Sequence, residues 1–368
     1  MKLRYKILGG LAATLAVATI AFGLVLSHDS ACVEAPTLPE GTPTILAAAH
    51  RCYGSPDVVQ LESVEKPSAV EDQVLVRVRA AAVNPLDWHY LRGEPFVMRL
   101  STGLGTPEDG RLGVDFAGVV EAVGPKVTRF KPGDEVFGGR SGALAEYVLV
   151  SESRNVLHKP ANISMEQAGS VAIAGVTALQ ALRDRGRLQA GQRVLINGAS
   201  GGVGTFAVQI AKSLGAEVTG VCSGRNAELV RSLGADQVID YTQTDFTEGP
   251  QRYDLIVDMV GNHSLSRLER VLSDQGSVVI VGGPSSNRWI GPLSGALWAE
   301  LRAPFSKHEM GFMLAELKPV DLQALADLMQ SGQLTPVIDR SFPLSEVAQA
   351  LQYLETGRAR GKVVVTMN

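Results

Sequence analysis

The stretch 198–209, GASGGVGTFAVQ, has glycine at four of its first seven positions. Glycine inside a helix or strand costs about 0.5–1 kcal/mol relative to alanine, so the cluster needs a compensating use. It follows the apolar run RVLIN and opens an amphipathic segment, which is the strand–turn–helix context of a dinucleotide fingerprint. Gly198 can turn out of the strand, and Gly204 lets the helix approach the sheet. The loop residues predicted to bind the cofactor pyrophosphate are Gly198, Ser200, Gly201, Gly202, Val203 and Gly204.

The end of the next predicted strand, EVTGVCS, indicates which dinucleotide binds. An NAD site usually has an acidic residue there that bonds the ribose 2′-hydroxyl. This chain instead has Ser223 and Arg225, and a hydroxyl beside a guanidinium suits a 2′-phosphate. Lys212 and Tyr241 could join that pocket, although isolated basic residues are usually solvated surface charges. Together with the missing acid, these residues predict NADPH as the cofactor.

The overall composition is that of an ordinary folded protein. Of 368 residues, 45% are hydrophobic and 20% are charged, and this length favours two domains. A net charge of −4 without a dense Lys/Arg stripe argues against a nucleic-acid partner. The cysteines Cys32, Cys52 and Cys222 form no CxxC pair and cannot supply a four-thiolate metal site. The cysteines therefore do not indicate whether the protein resides in an oxidising or a reducing compartment.

The N-terminal residues predict a membrane segment. MKLRYK is cationic, and residues 7–26 then run without a charge. A run of about twenty residues matches a hydrocarbon core of roughly 30 Å, and a secretory signal core is usually shorter. The sequence therefore predicts a transmembrane anchor over 1–27 and a Pro-rich linker over 28–43, with a cleaved signal or a buried helix as alternatives. This predicts a membrane localisation. Because the charge rule exports the body whereas NADPH is cytoplasmic, the side of the membrane stays open.

The remaining chain shows two patterns of predicted secondary structure. Residues 44–163 are β-rich, with Pro-Gly and Gly-Asp turns and an alternating strand pattern over 74–79. Residues 164–305 alternate strands with helical segments such as LSRLERVLSDQG, which predicts a parallel sheet covered on both faces. Residues 306–368 add two helices and a closing strand. The predicted fold class is α/β, with a compact antiparallel sheet beside a doubly wound parallel sheet and a transmembrane helix before them.

Several ordered motifs resemble those of the medium-chain dehydrogenase/reductase superfamily, in its zinc-independent quinone oxidoreductase branch. They are AAVNPLDW (81–88), GVDFAGVVEAVG (113–124), FKPGDEVFG (130–138), VAIAGVTALQAL (171–182), NGASGGVGTFAVQIAKSLGA (197–216) and GKVVV (361–365). The resemblance implies a GroES-like catalytic domain over 44–163 and a Rossmann domain over 164–305 that binds NADP. Residues 306–368 would return to the catalytic domain, and the active site would lie in the cleft between the two domains.

Within this branch, NPLDW and the insert RWIGPLSGALWAELRAPFSKHE resemble the mitochondrial reticulon-interacting oxidoreductases and their bacterial relatives. The insert, with Trp289 and Trp298, could form an apolar wall over the cleft or the surface of a homodimer.

The resemblance also indicates whether the chain can bind zinc. Zinc alcohol dehydrogenases of this type have a cysteine at the position of Asn84, and Gly-His-Glu where this chain has Gly113-Val114-Asp115. Asparagine and valine cannot replace a thiolate and an imidazole as zinc ligands, so no metal site is predicted.

The resemblance assigns roles to further residues. The residue matching Asn84 lies near the nicotinamide ribose in relatives, and Thr177 matches a threonine beside the cofactor. Val281, Gly282 and Gly283 match backbone that faces the carboxamide, and Lys362 of GKVVV completes the cofactor-binding set.

The proton donor is left open. His89 and Tyr90 both lie in the predicted pocket segment NPLDWHYLRGEP, and either could protonate an enolate, as could water. A packing role is as consistent with each residue.

The predicted function is an NADPH-dependent, zinc-independent reductase of a small-molecule quinone or α,β-unsaturated carbonyl. A conjugated acceptor needs less help than an isolated carbonyl, because the charge left by hydride addition delocalises onto oxygen. One alternative is an NADP-dependent alcohol or aldehyde oxidoreductase, which the missing zinc ligands disfavour. Another is an NADPH-binding scaffold or sensor, since binding does not prove hydride transfer.

Overall fold

The chain begins its sheet structure with a small hairpin-like pair and a larger mixed sheet. The computed structural model describes residues 15, 17–284, 287–302 and 306–367. Strands β1 (Thr44–Ala49) and β2 (Gln60–Glu65) form a two-stranded antiparallel sheet. The next strands belong to a seven-stranded sheet and are β3 (Gln73–Val83), β4 (Asp115–Val123), β5 (Glu135–Gly139), β6 (Tyr147–Ser151) and β7 (Val156–His158).

The middle of the chain forms a six-stranded parallel sheet with the strand order β10-β9-β8-β11-β12-β13, which is the Rossmann order. Its strands are β8 (Arg193–Asn197), β9 (Glu217–Cys222), β10 (Gln237–Asp240), β11 (Tyr253–Asp258), β12 (Leu272–Ile280) and β13 (Glu309–Phe312). The chain then returns to the seven-stranded sheet with β14 (Ile338–Pro343) and β15 (Lys362–Thr366), where β15 pairs antiparallel with β3.

Helices connect these strands. They are α1 (17–27), α2 (Pro85–Arg92), α3 (Arg99–Thr102), α4 (Met165–Ala168), α5 (Ala172–Leu179), α6 (Gly202–Ser213), α7 (Ala227–Ser232), α8 (Leu265–Glu269), α9 (Leu293–Arg302), α10 (Pro319–Gln330) and α11 (Val347–Glu355). Helix α5 continues as a π-helix over Gln180–Arg185. The parallel sheet is covered on both faces, and the central strands β8 and β11 accordingly carry buried apolar runs. One core lies on its α5, α6 and α10 face, another on its α8 and α9 face, and a third between the mixed sheet and α11.

The predicted transmembrane helix is wrong. Among the residues that the structure describes, no helix is long and apolar enough to cross a membrane. Helix α1 covers eleven described residues, or about 16 Å at 1.5 Å per residue, which is roughly half of a hydrocarbon core. Residues 1–14 and 16 of the predicted anchor (1–27) lie outside the described residues. The membrane localisation and membrane partner that rested on this helix are overturned with it.

The end of α1 packs against the rest of the molecule. Leu26 is 6% exposed, and its carbonyl accepts a hydrogen bond from Arg99 at 3.1 Å. A Cβ on Gly23 would lie 3.2 Å from the indole of Trp289. The apolar composition of this segment therefore serves, at this end, a contact within the protein.

Two further features differ from what the sequence indicates. The predicted linker is tied to the body by a disulfide between Cys32 and Cys52. The segment LSRLERVLSDQG is helical only as far as Glu269, and β12 begins at Leu272. The carbonyl of Val271 accepts a hydrogen bond from the Tyr253 N–H at 2.8 Å, so sheet pairing with β11 replaces the helical pattern there.

Candidate active site

The glycine loop turns from β8 into α6. Gly198 has φ of +92°, a left-handed conformation that favours glycine, and its N–H donates to Val221 O at 3.1 Å. A Cβ on Gly204 would lie 2.1 Å from Gly198 O and 2.7 Å from the carbonyl carbon of Ala199, so only glycine allows the helix this close to the turn. A Cβ on Gly201 would meet nothing nearer than 3.4 Å. The backbone at Gly201 therefore faces open space, as a pyrophosphate requires.

The loop is contacted by the beginning of β15. The Gly361 N–H donates to Ser200 O at 3.0 Å, and a Cβ on Gly202 would lie 3.3 Å from the Lys362 side chain. Asn226, a residue that the sequence analysis missed, donates from its side chain to Ser200 Oγ at 3.0 Å. The structure thus brings together a set of the predicted cofactor residues, namely Gly198, Ser200, Gly201, Gly202, Val203, Gly204 and Lys362.

Ser223, Arg225 and Tyr241 lie together at the end of β9. Ser223 begins a 3₁₀ turn over Gly224–Asn226, and the Tyr241 N–H donates to Cys222 O at 3.1 Å. Arg225 and Tyr241 are exposed. Within the described part of the chain, the Arg225 guanidinium has no hydrogen bond or ion pair, so it is free to bind an anion.

Lys212 does not belong to this group. It lies in the last turn of α6, ten residues after the helix begins, which is about 15 Å along the axis. Its ammonium forms an ion pair with Asp236 at 2.8 Å. The structure therefore does not bring Lys212 to the predicted 2′-phosphate pocket.

A carboxylate that the sequence analysis did not consider lies beside Ser223. A Cβ on Gly224 would lie 2.4 Å from Asp240 Oδ2. Hydrogen bonds from the backbone N–H and hydroxyl of Thr242, at 3.0 and 2.8 Å, hold the pKa of Asp240 below its usual range. The pocket is therefore not uniformly positive, and any preference for a 2′-phosphate depends on Arg225.

A buried polar cluster lies where three strands of the mixed sheet meet. Asn84 follows β3, Asp115 begins β4 and Lys362 begins β15, and the antiparallel pairing of β3 with both neighbours puts these ends side by side. The Lys362 ammonium donates to Asn84 Oδ1 at 2.5 Å and to Asp115 Oδ2 at 3.3 Å. Asn84 Nδ2 also donates to Asp115 Oδ2, at 3.2 Å. All three side chains are buried, so their mutual contacts satisfy charges that water cannot reach.

The cluster also fixes the start of α5. Asp115 Oδ1 accepts a hydrogen bond from the Ile173 N–H at 2.7 Å. One turn later, the Thr177 hydroxyl donates to Ile173 O at 2.7 Å. Asp115 therefore links the mixed sheet to α5, the helix that carries the predicted cofactor residue Thr177.

Asp87, the third residue of α2, caps the N-terminal end of that helix. Its carboxylate accepts hydrogen bonds from the N–H groups of Asn84 at 2.7 Å and Gly113 at 3.0 Å. Burial raises the pKa of Asp87 to about 7, against the lowering effect of these two donors. The sequence analysis gave Asp87 no role.

A cleft of about 270 Å³ adjoins the cluster and includes Tyr90, which is 41% exposed, in its wall. It is lined by Leu86, Asp87, Tyr90, Ser101, Thr102, Glu108, Asp109, Arg111, Leu112, Gly113, Val114 and Ser141. His89 lies outside this lining. Its Nδ1 donates to Glu94 O at 2.6 Å, and its ring stacks on Trp88 at 3.7 Å. Burial lowers the pKa of His89, so the imidazole is neutral near pH 7.

Val281, Gly282 and Gly283 follow β12 and face the loop that follows β11. The N–H groups of Val281 and Gly282 donate to Asp258 O at 2.8 and 3.3 Å. A Cβ on Gly282 would lie 2.5 Å from Met259 O. This position, at the carboxyl ends of two parallel strands, is where Rossmann folds bind ligands.

The first residues of the predicted insert contact the segment that follows α2. The Arg288 carbonyl accepts a hydrogen bond from the Phe96 N–H at 2.7 Å, and the Arg288 side chain pairs with Glu94 at 2.7 Å. Trp289 packs edge-on against Phe96 at 5.2 Å. Trp298, on α9, lines a second cavity of about 380 Å³ next to Gly282 and Gly283. The apolar wall and the homodimer surface both stay predictions.

Comparison with known proteins decides the family. An alcohol dehydrogenase GroES-like domain matches residues 70–161, and a zinc-binding dehydrogenase domain matches residues 233–365. The 2-methylene-furan-3-one reductase of Solanum lycopersicum is 35% identical over 92% of this chain and 83% of its own length. The chain belongs to the medium-chain dehydrogenase/reductase superfamily.

Other members of the superfamily agree. The mitochondrial NAD(P)H oxidoreductase RTN4IP1 of Mus musculus is 36% identical over 80% of this chain and 82% of its own length. The structure of the quinone oxidoreductase from Coxiella burnetii matches with a TM-score of 0.76 and 31% identity, over 89% of this chain and 100% of that one. The resemblance predicted from the motifs is confirmed, and the chain is an NAD(P)H-dependent oxidoreductase of this superfamily.

The superfamily includes zinc enzymes, but the residues here do not fit zinc. An amide (Asn84) and an alkyl side chain (Val114) stand where a thiolate and an imidazole would be needed, and the Lys362 ammonium already lies against Asn84 and Asp115. Among the residues that the structure describes, no three His, Cys, Asp or Glu side chains form a metal-binding group.

Proposed function

We propose that this chain is an NADPH-dependent, zinc-independent reductase that transfers hydride to a quinone or an α,β-unsaturated carbonyl. The observation that carries the proposal is the contact between the glycine loop and the buried cluster. Lys362 packs against Gly202 of the loop and donates to Asn84 and Asp115. A phosphate-binding loop and a polar cluster beside a cleft are thus joined through one side chain.

The residues present fit a dinucleotide. The open backbone at Gly201 and the start of α6 would hold the pyrophosphate, while Ser223 and the exposed Arg225 would bind the 2′-phosphate. Thr177 and the backbone of 281–283 would hold the nicotinamide end. When bound, the dinucleotide supplies the hydride.

The acceptor would bind in the 270 Å³ cleft. Tyr90 lines the cleft and His89 does not, so we assign the hydrogen bond to the acceptor oxygen to the Tyr90 hydroxyl. Because the donor set does not fit zinc, an acceptor that delocalises its own charge is favoured over an isolated carbonyl. Two relatives support this class, since one is a 2-methylene-furan-3-one reductase and the other a quinone oxidoreductase.

Acceptor class is tested by following NADPH oxidation with menadione, crotonaldehyde and butyraldehyde. Crotonaldehyde and butyraldehyde have the same chain length and differ only in the conjugated double bond. We expect turnover of menadione or crotonaldehyde and none of butyraldehyde. Equal turnover of the two aldehydes would indicate carbonyl reduction, and NADPH binding without turnover of any acceptor would indicate a scaffold or sensor.

Cofactor choice is tested by fluorescence titration with NADPH and NADH. Removing one charge-assisted contact costs about 1.5–3 kcal/mol, so Arg225→Ala should weaken NADPH binding by roughly ten- to a hundredfold and leave NADH unchanged. Arg231→Ala, an exposed arginine on α7, is the matched control and should change neither. Equal weakening of both nucleotides by Arg225→Ala would contradict a 2′-phosphate pocket.

A further inference from the structure

The disulfide between Cys32 and Cys52 ties the segment 26–33 to the catalytic side of the molecule. It joins residues 20 positions apart in sequence whose Cα atoms are 4.4 Å apart. Cys32 is exposed, whereas Cys52 is 5% exposed. Beside the disulfide, the Val33 N–H donates to Arg51 O at 3.3 Å. Cys32 is thus the accessible half of the disulfide, and Cys52 is the protected half.

The same segment supplies most of the acceptors for a buried arginine. Arg99 is 1% exposed, and its guanidinium donates to Leu26 O and His28 O, both at 3.1 Å. It also pairs with the Asp29 carboxylate at 2.7 Å. Its other two hydrogen bonds go to backbone carbonyls at the end of α2. Three of five hydrogen bonds would be lost if the segment left, and a buried guanidinium without acceptors is unfavourable.

Arg99 and the residues around the disulfide hold one wall of the cleft. Arg99 begins α3, whose residues Ser101 and Thr102 line the cleft. Tyr53 follows Cys52 directly. The Tyr53 hydroxyl forms a hydrogen bond with Thr102 Oγ1 at 3.0 Å and donates to Gly103 O at 2.8 Å.

The loop that continues from α3 is held from the N-terminal side as well. The Ser30 N–H donates to Gly105 O at 3.0 Å. Gly105 leads on to Glu108 and Asp109, which also line the cleft. The wall over residues 99–109 is therefore attached both to the segment on one side of the disulfide and to the residue next to Cys52 on the other.

We propose that the Cys32–Cys52 disulfide is a redox-exchange site that fixes this wall, so that its reduction by a dithiol weakens acceptor binding. The proposal rests on the proposed function for the identity of the acceptor. In the exchange, a thiolate of the dithiol attacks Cys32 Sγ, the S–S bond breaks, and Cys52 leaves as a thiolate that takes up a proton. The second thiol of the reductant then releases Cys32 as a thiol. The protein gains two electrons and two protons, and the dithiol becomes a cyclic disulfide.

The experiment compares the oxidised protein with the same protein after dithiothreitol treatment and anaerobic removal of the reductant, since free thiols react with the acceptors. KM and kcat are measured for menadione and NADPH, and hydrogen exchange is measured on residues 99–109. Alkylation counted by mass spectrometry confirms the state of each cysteine. Cys32→Ser cannot form the disulfide, and Ala31→Ser, at an exposed neighbouring position, is the matched control.

We expect reduction to raise the KM for menadione about fivefold or more, which is the lower end of typical coupling between two sites. The kcat and the KM for NADPH should stay within about twofold, and reoxidation should restore the oxidised values. Cys32→Ser should match the reduced protein with or without dithiothreitol, and Ala31→Ser should match the wild type. Hydrogen exchange over 99–109 should rise on reduction and in Cys32→Ser.

Two results would overturn the proposal: free Cys32 and Cys52 thiols in the protein as isolated under air, or unchanged exchange and unchanged KM once both thiols are alkylated. Faster exchange in a protein that turns over no acceptor would instead reject the proposed function and leave the redox-controlled wall in place.

Discussion

Lys362→Met tests how much the buried cluster depends on its single cation. The Lys362 side chain is 3% exposed and Asp115 is 0% exposed. Without the ammonium, the Asp115 carboxylate would keep two donors, Asn84 Nδ2 and the Ile173 N–H, but no opposite charge. Breaking one side of a buried ion pair costs about 3–5 kcal/mol. Because two donors remain, we expect the free energy of unfolding to fall by about 3 kcal/mol, the lower end of that range.

The assay is urea denaturation followed by circular dichroism, with Lys126→Met as control. Lys126 pairs with Glu71 on the surface, where the two side chains are 71% and 62% exposed, so its removal should cost about 1 kcal/mol or less. The double variant Lys362→Met/Asp115→Asn removes both charges and should recover part of the loss. A Lys362→Met loss no larger than that of Lys126→Met would refute the reasoning.

Asp87 and the glycine loop give two further predictions. Because the folded-state pKa of Asp87 is raised to about 7 from an ordinary 3.8, the folded state holds the proton more tightly, and this group's contribution to stability is lost as pH rises from about 4 to about 7. Urea denaturation across that range should show a flatter profile for Asp87→Asn, and an unchanged slope would contradict the assignment. Gly204→Ala should lower stability by about 1–3 kcal/mol, because its Cβ would lie 2.1 Å from a backbone oxygen. Gly201→Ala, with open space around it, should leave stability nearly unchanged and weaken NADPH binding, so equal stability losses in the two variants would count against this geometry.

What the sequence could predict was what depends on neighbours in the chain. Gly198 and Gly204 are six positions apart, and the strand–turn–helix pattern defines their geometry. The Rossmann strand order likewise follows from alternating strands and helices. The resemblance named Asn84 and Lys362 separately, but their contacts with each other and with Asp115 were not predicted, because these depend on which strands of the mixed sheet are neighbours.

The errors have physical causes as well. Apolar composition over 7–26 is shared by membrane helices and by helices that pack their end on the rest of the protein, as α1 does at Leu26. Lys212 is close to the glycine loop in sequence but at the other end of α6. The pairing of Cys32 with Cys52 follows no motif spacing, and the burial of Asp87 depends on contacts that the sequence does not show.

The buried cluster has a consequence for the order in which the protein becomes active. The glycine loop, the turn after β9 and the backbone of 281–283 lie between residues 193 and 283, and apart from the contacts of Gly361 and Lys362 they can form while a nascent chain is still being made. The cluster needs Asn84 and Lys362 in contact, which are 278 positions apart. Under the proposed function, residue 362 must therefore leave the ribosomal exit tunnel before hydride can be directed to an acceptor. Nucleotide binding would precede reactivity during synthesis, which would keep the half-made enzyme from consuming its reductant.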